Sequence, residues 1–192
     1  MINNNALISL IQEHFSDSML QLKEHDQYTY EHSMNVANGS LLIGCSLGYT
    51  DEQLTELVSA AMLHDIGKVF VPQEVIQKSG PLTNAEWECI KKHPEFGSEF
   101  VQSLHCSENI SAAILSHHEN YNGSGYPFGL KKNQIPLNGR IIRIVDTFDA
   151  LTSARSYRDA YDKSYALHYI GEYKGVLFDP FLTKLIIHRK IF

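Results

Sequence analysis

The 192-residue sequence has no long uncharged apolar run, and this absence limits the settings in which the chain can work. Nothing in it approaches the roughly 18 consecutive apolar residues that a membrane-spanning helix requires. The N-terminal segment, MINNNALISLIQEHF, has neither the basic flank nor the apolar stretch of a secretory signal peptide. We therefore expect a protein that is not inserted in a membrane and that carries no signal peptide.

Cysteine and positive charge are also scarce. The three cysteines, Cys45, Cys89 and Cys106, are odd in number and too widely spaced for a zinc knuckle. Such thiols are typical of reduced proteins of the cytosol, which predicts a cytoplasmic location. Because 16 Lys and Arg residues face 22 Asp and Glu residues, the formal net charge is -6. A surface for long nucleic acids is therefore not expected, and any phosphate site must be local.

The period-2 alternation of β-strands is nearly absent, whereas apolar residues recur at helical spacing along most of the chain. With 43% hydrophobic residues, the chain can bury a full core. Two capping boxes mark helix starts, Thr50 with Gln53 and Thr83 with Glu86. The predicted helices span about residues 6–22, 30–47, 51–66, 83–93, 96–104, 108–118, 139–153, 164–173 and 179–188. The predicted fold class is all-α.

One long segment, residues 120–138, has no helical pattern and is rich in Asn, Gly and Pro. Structureless loops longer than about 12–15 residues are uncommon in compact domains and are usually functional or disordered. This segment carries Tyr121, Tyr126 and Phe128, which argues against disorder. We therefore predict a functional loop.

Two adjacent pairs of potential metal ligands stand at predicted helix ends, His64-Asp65 in AAMLHDIGK and His117-His118 in HHENYNGSGYP. A histidine suits the negative end of the helix dipole, whereas an aspartate does not. Adjacent helical residues point about 100° apart, so each pair suits a site between its members or a bridge between two ions. Neutral imidazole and carboxylate suit Fe, Mn, Zn or Ni. A His-His pair alone is more often a surface or capping feature, but the two pairs together indicate a metal site.

With these residues, the sequence resembles the HD-GYP family, the subgroup of HD-domain phosphohydrolases that hydrolyse cyclic di-GMP. The resemblance spans about residues 26–182. It rests on an ordered series of motifs: EHSMNVA (31–37), LHDIGK (63–68), GPLTNAEWECIKKHPEFG (80–97), HHENYNGSGYP (117–127), RIIRIVDTFDALTSARSYR (140–158) and GVLFDP (175–180). It implies an HD-domain helical bundle with a long GYP-containing loop. Residues 26–192 would form this domain, with an N-terminal helix in residues 1–25 packed on it.

The resemblance also implies two divalent transition metal ions, with Fe or Mn favoured and Zn, Ni or Co as alternatives. Seven side chains match the family's ligand positions: His32, His64, Asp65, Asp146, His93, His117 and His118. The first four match one ion, the last three match a second, and Asp65 is the expected bridge. Taken singly, several have simpler explanations, such as a core histidine for His32 or a partner of Arg143 for Asp146. The full series in order favours metal ligands.

Some family members hold a third metal with a glutamate one turn before the first histidine. Tyr28 occupies that position here, and Glu31 is adjacent to His32 rather than one turn before it. A phenol is a poor ligand at neutral pH because its pKa is near 10. We therefore infer a two-metal site.

The resemblance further implies two catalytic residues, Asp65 and Lys68. Because Lys68 follows His64 by one helical turn, its side chain is expected to reach a phosphate oxygen or Asp65. The implied substrate-binding residues are Lys68, Asp149, Arg155, Arg158 and Asp26.

The GYP segment of the loop contributes Gly125, Tyr126 and Pro127. A glycine here permits a positive φ angle, and Pro127 stiffens the exit of the loop. Tyr126 is expected to pack the loop against the wall of the site or to present the loop to a partner. Glu119 is expected to orient a ligand histidine or to cap the loop.

The implied function is that of a metal-dependent phosphodiesterase, in which a metal-activated hydroxide cleaves cyclic di-GMP to pGpG and further to GMP. Two alternatives stay open at this point. One is a non-catalytic or slow cyclic-dinucleotide receptor that signals through a protein partner, and the other is a hydrolase of another cyclic dinucleotide such as cyclic GMP-AMP. The sequence shows no receiver, PAS or membrane sensor pattern, so we expect regulation through a protein partner, such as a GGDEF-type or sensor protein, through metal supply, or through a larger assembly.

Overall fold

The computed structural model describes residues 4–154 and 159–192, and these residues form a helical bundle. Over these two ranges there are eleven α-helices: α1 (Asn4–His14), α2 (Ser16–His25), α3 (Gln27–Leu47), α4 (Asp51–Leu63), α5 (Gln73–Ile76), α6 (Asn84–Ile90), α7 (His93–Ser103), α8 (Glu108–Ser116), α9 (Leu137–Thr152), α10 (Lys163–Glu172) and α11 (Pro180–Arg189). The same ranges contain two 3-10 helices, Ile66–Phe70 and Lys132–Gln134. The described ranges contain no strand beyond a single bridge between Lys174 and Phe178. The all-α prediction is confirmed.

Four helices form the centre of the bundle, because α3 packs on α4 and α9, and α8 packs on α4 and α9. Each contributes a fully buried aliphatic side chain, namely Val36, Leu57, Ile114 and Ile144. Burying one such side chain is worth about 1.5–3 kcal/mol. The centre is therefore a packed apolar framework, and the ends of its helices are fixed points from which polar side chains can project. None of the described helices is both long enough and apolar enough to cross a bilayer.

The helix starts follow the local signals of the sequence. Thr50 and Thr83 both form complete capping boxes, in which the threonine hydroxyl accepts from the third helical residue and that residue's side chain accepts in return. Asp179 accepts hydrogen bonds from Phe181 and Leu182, with a proline at the first position of α11. These predictions are confirmed because a cap depends only on residues within one turn.

The N-terminal helix predicted over residues 6–22 is wrong in one respect, since it is two helices that meet at Phe15. The backbone of Phe15 leaves the helical region at φ -104° and ψ 26°, and its ring is buried. This break lets α1 bury Leu7 and Ile11 while α2 buries Met19 and Leu22 in the same core. A straight helix would carry one of these apolar faces away from the core. The division into residues 1–25 and 26–192 stays a prediction.

Two further boundaries differ from the prediction. The helix predicted over residues 83–93 ends at Ile90, and Pro94 does not interrupt a helix but lies in the first turn of α7, directly after His93. Proline is tolerated there because the first backbone N–H groups of a helix have no intrahelical partner. His93 is thereby placed at the N-terminal end of α7.

Candidate metal centre

The seven predicted ligands come from five parts of the chain and converge at one place. His32 lies on α3, His64 and Asp65 follow α4, His93 begins α7, His117 and His118 follow α8, and Asp146 lies on α9. Potential ligand atoms form two groups, each with all atoms within 4.8 Å of one another: His32, His64 and Asp65, and then Asp65, His93, His117 and His118. Asp65 belongs to both groups. Asp146 joins the first group, with Oδ1 lying 3.1 Å from Nε2 of His32.

The His-Asp pair lies at a change of helix type. The helix predicted to reach Ile66 ends at Leu63, and a 3-10 helix begins at Ile66. Between them Asp65 adopts φ -100° and ψ 5°. This departure from helical backbone brings Nε2 of His64 to within 3.3 Å of Oδ2 of Asp65. Neighbouring residues of a regular helix diverge by about 100°, so the early end of α4 lets the two side chains face one site.

Gly67 allows the helix that carries His93 to approach this turn. A Cβ atom at Gly67 would lie 2.0 Å from the carbonyl oxygen of His93 and 2.5 Å from the backbone nitrogen of Gly97. Only glycine fits at this separation. The contact brings Nε2 of His93 to 3.2 Å from Oδ1 of Asp65. The glycine of the LHDIGK motif therefore has a packing function in assembling the site.

Three of the predicted ligand histidines are oriented by their own helices. Nδ1 of His64 donates to the carbonyl of Ala61, and His93 and His117 donate in the same way to Ile90 and Ile114. A carbonyl only accepts, so each Nδ1 carries the proton and each neutral ring presents an unprotonated Nε2. Fixing the far ring nitrogen of an imidazole in this way is typical of metal ligands.

The orientations leave buried electron-pair donor atoms that face one another without a proton between them. Nε2 of His93 and Nε2 of His117 lie 3.2 Å apart, although both Nδ1 atoms already hold the protons of the neutral rings. Nε2 of His64 and Oδ1 of Asp65 are buried and have no hydrogen-bond partner among the residues that the structure describes. Buried polar atoms are normally paired, and this set of nitrogen and carboxylate donors fits a divalent transition metal.

The pKa values of the histidines in the second group also fit metal binding. Burial lowers the pKa of His93 to about 4, and burial with neighbouring imidazoles lowers the pKa of His117 and of His118 well below its ordinary value. Burial by itself raises the pKa of Asp65, but Lys68 and the surrounding histidines hold it well below the usual range. Neutral imidazoles and an ionised carboxylate are the protonation states that metal binding needs.

His32 differs from the other histidines because it lies between two carboxylates. Its Nδ1 is 2.6 Å from Asp149, and its Nε2 faces Asp146. Burial opposes protonation, but the two carboxylates together raise the pKa of His32 to about 9. Without a metal, a proton therefore balances these negative charges at the position that a metal would occupy.

The predicted substrate-binding residues lie at different distances from the ligand cluster and make different contacts. Nζ of Lys68 lies 2.6 Å from Oδ2 of Asp65, at the edge of the cluster and partly open to solvent. Asp149 contacts His32, and Asp26 caps α3 by accepting from the backbone and hydroxyl of Thr29. Their contacts with a substrate stay predictions. Arg155 and Arg158 lie outside the described residues.

Tyr28, at the position of the third-metal glutamate, has its ring parallel to that of His32, with centroids 6.2 Å apart. It therefore lies against the first ligand group. The inference of two metals rather than three stays a prediction.

The GYP segment folds back on the His117-His118 segment. A Cβ atom at Gly125 would lie 2.3 Å from the backbone nitrogen of Asn120 and 2.5 Å from the carbonyl oxygen of His118, so a side chain has no room there. Tyr126 donates its backbone N–H to that carbonyl, and its ring stacks on His118 with centroids 4.8 Å apart. Glu119 accepts from the backbone of Phe128, so it caps the loop. The loop thus forms one wall of the site.

Sequence reasoning missed how two residues of α9 are used. Asp149 orients His32, although the family resemblance implies a substrate contact, and its position one turn after Asp146 could have indicated that both reach the same imidazole. Arg143, a possible partner of Asp146 by sequence, donates instead to Asn120 and Thr147. Asn120 is 23 residues away from Arg143 in the sequence, and no local sequence pattern predicts this pairing.

One family of known proteins matches most of this chain. The family described as HD domain matches residues 12–182. The chain is 43% identical over 144 residues to the cyclic di-GMP phosphodiesterase response regulator RpfG of Xanthomonas campestris, which covers 72% of this chain and 37% of that protein. It is 37% identical over 180 residues to a cyclic di-GMP phosphodiesterase of Pseudomonas aeruginosa, with coverages of 92% and 40%. The chain thus spans less than half the length of these curated relatives.

The fold is shared with a solved structure of a cyclic GMP-AMP specific phosphodiesterase of Vibrio cholerae. The TM-score is 0.68 at 22% sequence identity, and the match covers 90% of this chain and 48% of that one. At this identity the likeness shows the fold. Together with the family match over residues 12–182, it confirms the resemblance drawn from the motifs: the chain belongs to the HD domain family.

Proposed function

We propose that this chain is a metal-dependent phosphodiesterase that hydrolyses cyclic di-GMP to linear pGpG, with GMP as a further product. The observation that carries the proposal is the facing pair of unprotonated Nε2 atoms of His93 and His117, 3.2 Å apart beside Asp65. The names of the two curated relatives, both cyclic di-GMP phosphodiesterases, support the choice of substrate.

The proposed centre holds two divalent ions. His32, His64 and Asp146 would hold one, and His93, His117 and His118 the other. Asp65 would contribute to both sites, since its carboxylate oxygens lie within both groups of potential ligand atoms. Fe or Mn suits these donors best, with Zn, Ni or Co as alternatives.

The ions would acidify a bound water and offset the negative charge of the phosphodiester. The protein's own groups would do the rest. Lys68 lies one turn from His64 and is partly open to solvent, so its ammonium can donate to a phosphate oxygen. Asp149 fixes the ring of His32 through Nδ1, which leaves Nε2 for the centre. Arg155 and Arg158 are proposed to contact the second phosphate or a guanine. Asp26 is proposed to contact the substrate.

The test combines metal analysis of anaerobically purified protein with identification of the products from cyclic di-GMP. Asp65→Asn keeps the shape of the side chain but removes the bridging charge. We expect both ions to bind more weakly and hydrolysis to be lost, while helicity is retained because the adjoining Met62, Leu63 and Ile66 are fully buried. Asp162→Asn, at the exposed start of α10, is the control and should behave as the wild type.

Three outcomes would contradict the proposal in distinct ways. Hydrolysis by metal-free protein or by Asp65→Asn would exclude the two-ion mechanism. Three fully occupied ions with Tyr28 or Glu31 as a ligand would exclude the two-ion count. Metal-loaded protein that binds cyclic di-GMP without cleaving it would favour the receptor alternative.

Cyclic GMP-AMP belongs in the same assay as a second substrate, because the structural neighbour of Vibrio cholerae is named as specific for it. The ratio of kcat/KM for the two dinucleotides decides between the substrates. Regulation by a GGDEF-type or sensor protein and a cytoplasmic location stay predictions.

A further inference from the structure

Trp87 is the one tryptophan of the sequence, and its side chain is not used to build the core. It lies on α6, a seven-residue helix that contributes no fully buried side chain, and it is 46% exposed. Tryptophan carries a large apolar surface and is highly buried in most proteins. Its exposure on a short surface helix therefore calls for a function other than packing.

The ring of Trp87 stands at the rim of the metal centre. Its centroid lies 6.5 Å from that of Tyr126, at an interplanar angle of 75°, and Tyr126 stacks in turn on His118. Burial raises the pKa of the Tyr126 phenol, and the nearby carboxylates of Asp65 and Asp146 raise it further. Tyr126 thus separates Trp87 from the ligand cluster by a single ring, and Trp87 forms the outer, open side.

Polar contacts join the start of α6 to the segment that precedes it. Glu86, the residue before Trp87, accepts from the backbone N–H and the hydroxyl of Thr83 at 2.7 and 2.9 Å. The same carboxylate pairs with Lys78 at 2.7 Å, on the segment before α6. The helix start and the preceding segment are therefore joined locally. The contact of Trp87 with the ring of Tyr126 places the indole beside the centre.

We propose that the exposed face of Trp87 stacks one nucleobase of a cyclic dinucleotide whose phosphate lies at the metal centre, with the ring of Tyr126 beside the stacked base. The inference rests on the proposed function and names a further substrate-binding residue for it. An open aromatic face next to a phosphate site is the arrangement that nucleobase binding uses, since every base has a π-face. In a chain with a net charge of -6, stacking also supplies affinity without cations.

Stacking has a consequence for substrate choice. Guanine and adenine both present a large flat face, so Trp87 would bind either purine with similar strength. It would raise the affinity for cyclic di-GMP and cyclic GMP-AMP alike. Selection between them must come from hydrogen bonds to the base edges, which lie elsewhere in the site.

The single tryptophan makes the inference directly measurable, because intrinsic tryptophan fluorescence reports on Trp87 alone. Metal-loaded wild-type protein is mixed with cyclic di-GMP in a stopped-flow instrument, and emission is followed before turnover. We expect saturable quenching, because a stacked guanine quenches indole. Ribose 5-phosphate, which has a phosphate but no base, should leave the emission unchanged.

Variants separate stacking from a structural role. Trp87→Ala should raise the dissociation constant and KM for cyclic di-GMP about 10-fold, with kcat changed less than twofold and metal content unchanged. Trp87→Phe, which keeps a ring, should recover most of the affinity. Phe181→Ala removes a 62% exposed ring from α11 and should have no effect. Because α6 contributes no buried side chain, Trp87→Ala should keep wild-type helicity.

The possible failures are distinguishable. Cyclic di-GMP that is bound and cleaved without quenching, together with an unchanged KM in Trp87→Ala, would overturn the stacking and leave the proposed function intact. A Trp87→Ala protein that loses its metals would assign Trp87 a structural role and would likewise overturn it. If metal-loaded wild-type protein neither binds nor cleaves any cyclic dinucleotide, both the proposed function and the inference fail.

Discussion

Arg143 donates two hydrogen bonds to the side-chain carbonyl of Asn120, from Nε at 3.2 Å and from Nη2 at 3.1 Å. Its Nη1 donates to the hydroxyl of Thr147, and the guanidinium lies 5.6 Å from the centre of the Phe178 ring. Asn120 is two residues after His118, and Thr147 directly follows Asp146. One side chain thus ties the segment that carries His118 to the helix that carries Asp146.

Replacing Arg143 should therefore loosen the second ligand group more than the first. We expect Arg143→Gln to weaken metal binding at the group of His93, His117 and His118 by about 10- to 100-fold, the range seen when supporting contacts of metal ligands are removed. Arg143→Lys should recover little, because an ammonium cannot reproduce the fork of donors. Competition with a chelating dye measures both affinities.

Arg189→Gln is the matched control for Arg143, because Arg189 is an exposed arginine on α11 that donates to a backbone carbonyl far from the centre, that of Ser46. It should bind metal as the wild type does. Equal metal affinities in Arg143→Gln and Arg189→Gln would show that the contact with Asn120 does not position the ligands.

The close approach at Gly125 predicts a loss of function for the smallest possible side chain. Gly125→Ala should push the loop away from Asn120 and His118, since its Cβ would meet their backbone atoms at 2.3 and 2.5 Å. We expect turnover of cyclic di-GMP to fall at least 10-fold and metal content at the second group to fall with it. Gly80→Ala, where a Cβ meets nothing within 4 Å, should change neither quantity. Full activity in Gly125→Ala would mean that the loop can move without disturbing the centre.

Lys68 should matter for the substrate and not for the metals. Lys68→Ala removes the ammonium that lies 2.6 Å from Asp65, and the carboxylate then keeps its charge for metal binding. We expect wild-type metal content, with kcat/KM for cyclic di-GMP reduced about 100-fold, consistent with a lost charged hydrogen bond of about 1.5–3 kcal/mol. Parallel metal analysis and steady-state kinetics measure both. Loss of the metals, or unchanged kcat/KM, would contradict the phosphate-binding role.

Glu86 should make the stability of α6 depend on pH. The hydrogen bonds of Lys78 and of Thr83 lower the pKa of Glu86 to about 2, from an ordinary value of 4.5. The depressed pKa means that the carboxylate stabilises the folded state fully above pH 4.5, and that this contribution is lost as the pH falls toward 2. Glu86→Gln should therefore be less stable than the wild type at pH 6, and the difference should narrow below pH 4.5. Urea unfolding followed by Trp87 fluorescence measures it, and a difference independent of pH would contradict the assignment.

The features that the sequence by itself determined are those whose causes lie within one turn of the chain. The capping boxes at Thr50 and Thr83 and the Asp179 cap depend on residues two or three positions apart, and the structure contains each of them. The helical periodicity determined the fold class in the same way. The order of the motifs identified the ligand types, and the structure gathers those side chains at one place.

The tertiary structure decided what depends on residues far apart in the chain. The break at Phe15 lets α1 and α2 both reach one core, and the early end of α4 lets His64 and Asp65 face side chains from other helices. The contacts of Asp149 with His32 and of Arg143 with Asn120 span 117 and 23 residues. Such pairs form only after packing has brought the helices together, because no periodicity or cap within either segment encodes the position of the other.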